Sequence, residues 1–398
     1  MNTTMNLFDP AFRANPYPFY AQMRRAQPLC QVEPGGIWAV TRQKDVLFVL
    51  KHPELFSSHG FRAAWEPEWL GYNPVARSIL AMDGAPHAKL RALLTRAFGA
   101  RALARLEPRI RALASELAGE LASALGKTGE ADFIAAFALP LPAYVIADLL
   151  GLPRSLWTRF KQWADDVASV TPVPENPAHA LRVRAGITEM TEYFTTVIAQ
   201  RRQSPSDDLI SDLLRAEVDG QSLSDEEIVS FAAVLLLGGF DTTTYLLANA
   251  VRVLAERPEL ASALRQDSSK IAAFVEEVLR YDAPVHGLPR IATQEVQLAG
   301  GTVPQGAMVL ALLGAANRDE QVFPNADQFE LQRGEPGIPF GFGVHACLGA
   351  ALVRLEARLA LAALLAQAER LICPPPTELV WNRSLTVRGP VAMPVRRR

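Results

Sequence analysis

A chain of 398 residues exceeds the usual size of a single core, so length alone leaves one large domain or two open. Its 40 Lys and Arg against 42 Asp and Glu, with no long block of like charge, speak against general affinity for nucleic acid or an anionic membrane surface. A hydrophobic content of 49% excludes a disordered chain. The opening Met-Asn-Thr-Thr-Met-Asn-Leu-Phe-Asp lacks the basic start and apolar core of a signal peptide. The longest apolar runs, at 231–237 and 359–365, are shorter than the roughly 20 residues of a membrane span, so no membrane anchor and a cytoplasmic location are expected. Three scattered cysteines, Cys30, Cys347 and Cys373, do not make a disulfide framework.

In chain order, the periodicity predicts a strand near 37–41 and helices over 101–125, 181–202, 224–257 and 270–280. Strands follow near 296–298 and 309–312, then a helix over 348–368 and β structure after Glu378. The basic end, Arg396-Arg397-Arg398, is expected to fray. With no internal repeat and no Gly/Ser linker, the expectation is one continuous domain over 1–398, mainly α with small β-sheets.

Phe340-Gly341-Phe342-Gly343-Val344-His345-Ala346-Cys347-Leu348-Gly349 runs straight into the amphipathic 348–368 segment. It sets one cysteine at a helix start, where the dipole and free N–H groups favour a thiolate, a soft metal ligand. Cys347 alone would read as a buried thiol in a turn. Zinc is a poor rival, because structural zinc sites draw on paired motifs such as C-x-x-C and none is present. A dinucleotide loop starting at Gly341 fails at Ala346, and no G-x-S-x-G elbow occurs.

The ten-residue stretch resembles the haem-ligand loop of the cytochrome P-450 family of haem-thiolate monooxygenases. The resemblance implies the P-450 fold, with haem b between a long central helix and the cysteine-loop helix. It makes Cys347 the axial thiolate, with Phe340 packed on the sulfur side, His345 near a propionate and Gly349 completing the motif.

The 224–257 segment opens with a capping box, Ser224 to Glu227, and stops before Pro258. At about 1.5 Å per residue it spans on the order of 50 Å as one helix. Its centre, Gly238-Gly239-Phe240-Asp241-Thr242-Thr243-Thr244, is poor helix material and could mark a kink or a packing notch. It also resembles the family's oxygen-activation motif, an acid and an alcohol in a widened turn over the haem. Asp241 and Thr242 hold those positions and are implied to deliver protons, while Gly238, where the family commonly has alanine, should change groove shape.

Glu277 and Arg280 stand three apart on one helix face, a spacing common on solvated surfaces. In family order, with Arg333, they are implied to form a buried structural network. His87, Arg91 and Arg290 resemble the family's propionate contacts, and the resemblance extends from about Asn15 to Pro394. It implies a monomer without a fused reductase, served by a ferredoxin or flavodoxin with its reductase, for which Arg96, Arg101, Arg105 and Arg354 are candidate docking charges.

By resemblance, substrate is met by Phe61, Trp65 and Trp69, unless these merely pack a loop, and by Leu235, Gly238, Gly239, Val285, Leu288, Leu385 and Val387. His286 is either a polar hook or a loop histidine facing solvent. The implied activity is hydroxylation or epoxidation of a medium-sized apolar compound, a fatty acid, terpenoid, steroid or macrolide. The alternatives are a peroxide-driven or rearranging haem-thiolate enzyme, or a non-enzymatic haem sensor.

Overall fold

The computed structural model describes residues 5–367 and 371–397. Their contacts group into two compact units. The first comprises Met1–Phe56, Ile110–Leu141 and Asp241–Arg398, and the second Ser57–Arg109 and Pro142–Phe240.

In the first unit, Met5–Asn6, Leu29–Glu33, Ile37–Val40, Met308–Ala311 and Leu288–Ala292 are neighbours in that order in one sheet. Ile37–Val40 runs antiparallel to Leu29–Glu33 and parallel to Met308–Ala311, with Ala39 opposite Leu310. Val40, Val309 and Ala311 pack one face against Val46, Val49 and Leu50 of the helix Gln43–Lys51. Ala39 and Leu310 turn the other way, onto Tyr20 and Met23 of the helix Tyr17–Ala26. This two-sided burial explains the near-continuous apolar reading of these strands. The helices Asp241–Glu256, Ile271–Tyr281 and Ala350–Gln367 pack on one another through apolar stripes.

In the second unit, Trp157–Ala168 packs on Pro177–Gln203, and both touch Asp225–Gly239. A second observation ties the first pair: a Cβ at Gly186 would lie 2.2 Å from Asp166 Oδ2, so only glycine permits this approach.

Most predicted helices stand within a few residues of their expected ends. The 224–257 segment differs. Its capping box is formed, Ser224 N donating to Glu227 Oε2 at 2.8 Å and Glu227 N to Ser224 Oγ at 3.1 Å. The helix nevertheless stops at Gly239, and a second begins at Asp241. Phe240, at φ −79° and ψ −72°, is the break, and the weak helix formers around it leave little to hold the ladder together. Taken together, Asp225–Glu256 is long and apolar enough to cross a membrane, which the separate apolar runs had hidden; 61% of its most apolar window is buried in the protein. The basic end also departs from expectation: Pro394–Arg397 is a strand paired with Glu130–Asp132, and Arg396 Nε donates to Glu130 Oε2 at 2.6 Å. Arg398 lies outside the described residues.

Candidate functional site: a cysteine loop and an acid–alcohol turn

The cysteine loop is built on glycine. Gly341 and Gly343 have φ of +73° and +72°, and a Cβ at Gly343 would fall 2.7 Å from Leu50 O. Gly341 also faces the strand of Arg290, its Cβ position 3.1 Å from Leu288 Cδ1. Cys347 N donates to Phe340 O at 2.9 Å, closing the loop across its mouth, and the helix Ala350–Gln367 follows. Cys347 is exposed, while His345 and Phe340 are half-buried. The Arg354 guanidinium lies 4.5 Å over the Phe340 ring and pairs with Glu276. Arg354 is thereby engaged in holding the loop to the Ile271–Tyr281 helix.

Behind the loop, Glu277, Arg280 and Arg333 come together. Glu277 Oε2 and Oε1 accept from Arg280 Nε at 2.8 Å and Nη2 at 2.7 Å, and Oε1 also accepts from Arg333 Nε at 3.3 Å and Glu330 N at 2.9 Å. Arg280 spends its remaining N–H groups on the carbonyls of Asn317, Ala326 and Gln328. The pair is therefore not a solvated-face ornament: it pins the segment leading to the cysteine loop, where Asn317 Oδ1 also accepts from Ile338 N at 2.7 Å.

Asp241 and Thr242 occupy the first turn of the helix Asp241–Glu256, both half-buried. Of the three threonines, Thr244 is committed, its Oγ1 donating to Ala138 O at 3.1 Å, and Thr243 is buried. Thr242 is thus the least buried of the three, next to the Asp241 carboxyl in the chain. In the second unit, Gly238 is exposed with nothing within 4 Å of a Cβ position, whereas a Cβ at Gly239 would strike Ile146 Cδ1 at 2.4 Å. Leu235 is half-buried nearby in sequence.

Arg290, 7% exposed, stands opposite Val309 in the sheet and donates to Pro289 O at 2.7 Å. His87 is buried and Arg91 half-buried on the second unit's helix Gly84–Ala97. There too, Phe61 packs 6.4 Å from Trp65, and Trp69 Nε1 donates to Thr171 O at 2.9 Å, so Trp69 ties down the 169–176 loop. Arg96 donates to Glu217 O at 2.6 Å, and Arg105 pairs with Asp207 and Asp212, so both charges are already engaged. The Arg101 side chain lies outside the described residues.

The four apolar candidates of the first unit, Val285, Leu288, Leu385 and Val387, are all half-buried, and Val285 bridges Val387. His286 is not a solvent-facing histidine. It is 3% exposed, its Nδ1 3.0 Å from the Tyr20 hydroxyl, and burial first, then Arg388, hold its pKa well below the ordinary value.

Two features escaped the sequence reading. One is the cluster around Asp282, whose carboxylate takes Arg252, Arg388 and the Tyr17 hydroxyl at 2.9, 2.9 and 2.5 Å. The other is Glu356, 2% exposed on the helix after the cysteine, with Oε2 lacking a hydrogen-bond partner. Burial pushes its carboxyl up to about 8. A carboxyl raised in the folded state binds its proton there while the unfolded chain has lost it. Its stabilising effect is complete below the ordinary glutamate value and is lost as pH rises through 8. Stability is expected to fall between pH 5 and 8 by on the order of a few kcal/mol, and Glu356→Gln to flatten that slope. Urea unfolding at both pH values measures it; an unchanged slope in the variant would assign the effect to another group.

Among the described residues, no group of three or more His, Cys, Asp or Glu side chains could hold a metal ion. An exposed thiol in a rigid glycine loop therefore suits a metal that takes one protein ligand and brings its other ligands with it, as haem iron does. The comparisons agree. The Cytochrome P450 family model matches residues 17–385. The erythromycin C-12 hydroxylase of Saccharopolyspora erythraea is 38% identical over 94% of this chain and 92% of its own length. A cytochrome P450 structure from Chondromyces apiculatus superposes with a TM-score of 0.89 at 36% identity, covering 100% of this chain and 98% of its own. Another, from Bacillus megaterium in complex with testosterone, gives a TM-score of 0.84 at 32% identity over 96% of this chain and 99% of its own. With the cysteine loop and the matched length in agreement, the chain belongs to the cytochrome P450 family of haem-thiolate monooxygenases.

Proposed function

We propose that the enzyme uses haem b to hydroxylate or epoxidise a medium-sized apolar compound of the macrolide or steroid class. Electrons would come from a separate ferredoxin or flavodoxin with its reductase, and the enzyme would work as a cytoplasmic monomer. The carrying observation is the pairing of two features in one unit: an exposed cysteine in a glycine-built loop, and a half-buried acid–alcohol pair at a helix start. A haem sensor has no use for the second. The names of two similar proteins, one an erythromycin hydroxylase and one bound to testosterone, support the substrate class. So do the apolar faces of Val285, Leu288, Leu385 and Val387.

When bound, the haem supplies an iron centre that activates dioxygen and transfers one oxygen atom to carbon. Cys347 would be its thiolate ligand, held in place by the loop closure on Phe340 O. Arg290 and His345 would hold the propionates, a fitting task for a buried guanidinium. Thr242 Oγ1 would hold the proton to be delivered, and the Asp241 carboxyl would replace it from solvent.

Thr242→Ala should lower product formed per electron pair about tenfold or more, less than the roughly 10²–10⁴-fold of a fully lost proton transfer because water can stand in, with the missing electrons recovered as hydrogen peroxide. Simultaneous measurement of NADPH, peroxide and product in the reconstituted system reads this. Undisturbed coupling would remove Thr242 from the proton path and favour a peroxide-driven enzyme instead.

A further inference from the structure

Arg13 sits in the short helix Pro10–Ala14 and is 6% exposed. Its guanidinium reaches across to the chain's far end, donating to Ser384 O at 3.1 Å, Asn382 Oδ1 at 2.7 Å and Val387 O at 3.0 Å. The grip is returned. Arg388, 1% exposed, donates to Arg13 O and Ala14 O at 2.7 Å each, and to Asp282 Oδ1 at 2.9 Å.

Between the two arginines, the turn is closed by Asn382 N to Gly389 O at 3.0 Å and Gly389 N to Asn382 Oδ1 at 3.0 Å. Its base presses on the helix Asp241–Glu256: a Cβ at Gly389 would overlap the Tyr245 ring at 1.9 Å. Its other end carries Leu385 and Val387. Thr386 O accepts from His286 N at 2.7 Å and Gly287 N at 3.2 Å, so Val285 and His286 follow wherever the turn goes.

Burial pulls Arg13 down to about 10, with Arg388 adding to the effect, yet the group stays charged at neutral pH. Burying a cation on carbonyl and amide oxygens is a poor way to gain stability, since well-packed apolar groups do as well or better. What Arg13 provides is geometry. Charged N–H groups on backbone carbonyls fix the position of a turn that has no regular ladder to fix it.

We propose that Arg13 is a positioning residue for substrate recognition: by holding the Ser384 and Val387 carbonyls from behind, it sets where Leu385 and Val387 stand, and thereby which apolar molecules bind. This rests on the reading of those two residues as pocket wall. The test uses the haem-loaded enzyme and two iron-binding probes. Imidazole needs only the iron, whereas econazole also fills the surrounding cavity. In spectral titrations, Arg13→Gln should shift the econazole dissociation constant about tenfold while leaving that of imidazole unchanged. Arg13→Lys keeps the charge but cannot bond three acceptors as a fork, and should recover only part. Val387→Ala alters the wall directly and should also move econazole alone.

An Arg13→Gln enzyme that binds both probes normally while Val387→Ala shifts econazole would overturn the positioning role and leave the pocket reading standing. Val387→Ala without effect on econazole would overturn the pocket reading and this inference with it. Equal shifts for both probes in Arg13→Gln, with haem loss, would make Arg13 a matter of general stability and reject the proposal. Should that variant fail to load haem at all, Arg13→Lys is judged by the same criteria.

Discussion

Cys347→Ser is expected to lower monooxygenase turnover on the order of a thousandfold, about 4 kcal/mol in activation free energy, while the protein stays folded. A serine hydroxyl would remain protonated where a thiol just before a helix start would ionise. The loss should be chemical and not structural. Cys347 is exposed, and the loop's shape rests on Gly341, Gly343 and the Cys347 N to Phe340 O bond, none of which needs sulfur. Product formation at saturating redox partner, measured beside the thermal midpoint, separates the two. Retained turnover in a correctly folded variant would remove Cys347 from the chemistry.

The Glu277–Arg280 pair should behave in the opposite way. Removing Glu277 leaves the buried Arg280 without its counter-ion, which costs roughly 3–5 kcal/mol; removing Arg280 leaves Glu277 only the longer Arg333 ion pair. Set against a total stability of about 5–15 kcal/mol, that is enough to leave much of the protein unfolded or without haem. Glu277→Ala also releases Glu330 N and the Arg333 Nε contact, and with them the path toward the cysteine loop. Arg280→Lys should rescue little, because one ammonium cannot replace bonds to Glu277 and to the carbonyls of Asn317, Ala326 and Gln328. The ratio of haem to protein and the urea midpoint are the readouts. A stable, fully loaded Glu277→Ala enzyme would make the pair superficial.

Why some of this was legible in the sequence and some was not follows from the range of the interactions. The cysteine loop, the capping box at Ser224 and the Glu277–Arg280 spacing are local patterns, each complete within a dozen residues. The 224–257 segment carried one strong periodicity on both sides of its centre. Its weak residues were visible, but whether they bend a helix or end it depends on packing at Phe240, which periodicity does not report. Arg13 and Arg388 are 375 residues apart and each reads as a surface charge until the fold brings them together. Glu356 sits among charged residues on an amphipathic helix and looks solvated; only its neighbours in space make it a buried acid. His286 stayed open between two readings for the same reason, the Tyr20 partner that accompanies its burial lying 266 residues away. The basic tail looked frayed because its strand partners at 130–132 are equally remote.

Every catalytic role proposed above depends on Cys347 ligating haem iron through a thiolate. The absorption spectrum of the dithionite-reduced protein, taken with and without carbon monoxide for wild type and Cys347→Ser, tests it most directly. A strongly red-shifted Soret band in the wild type that is absent from the serine variant is the predicted result. A histidine-type spectrum in fresh wild-type protein, or the same red-shifted band in both proteins, would contradict it.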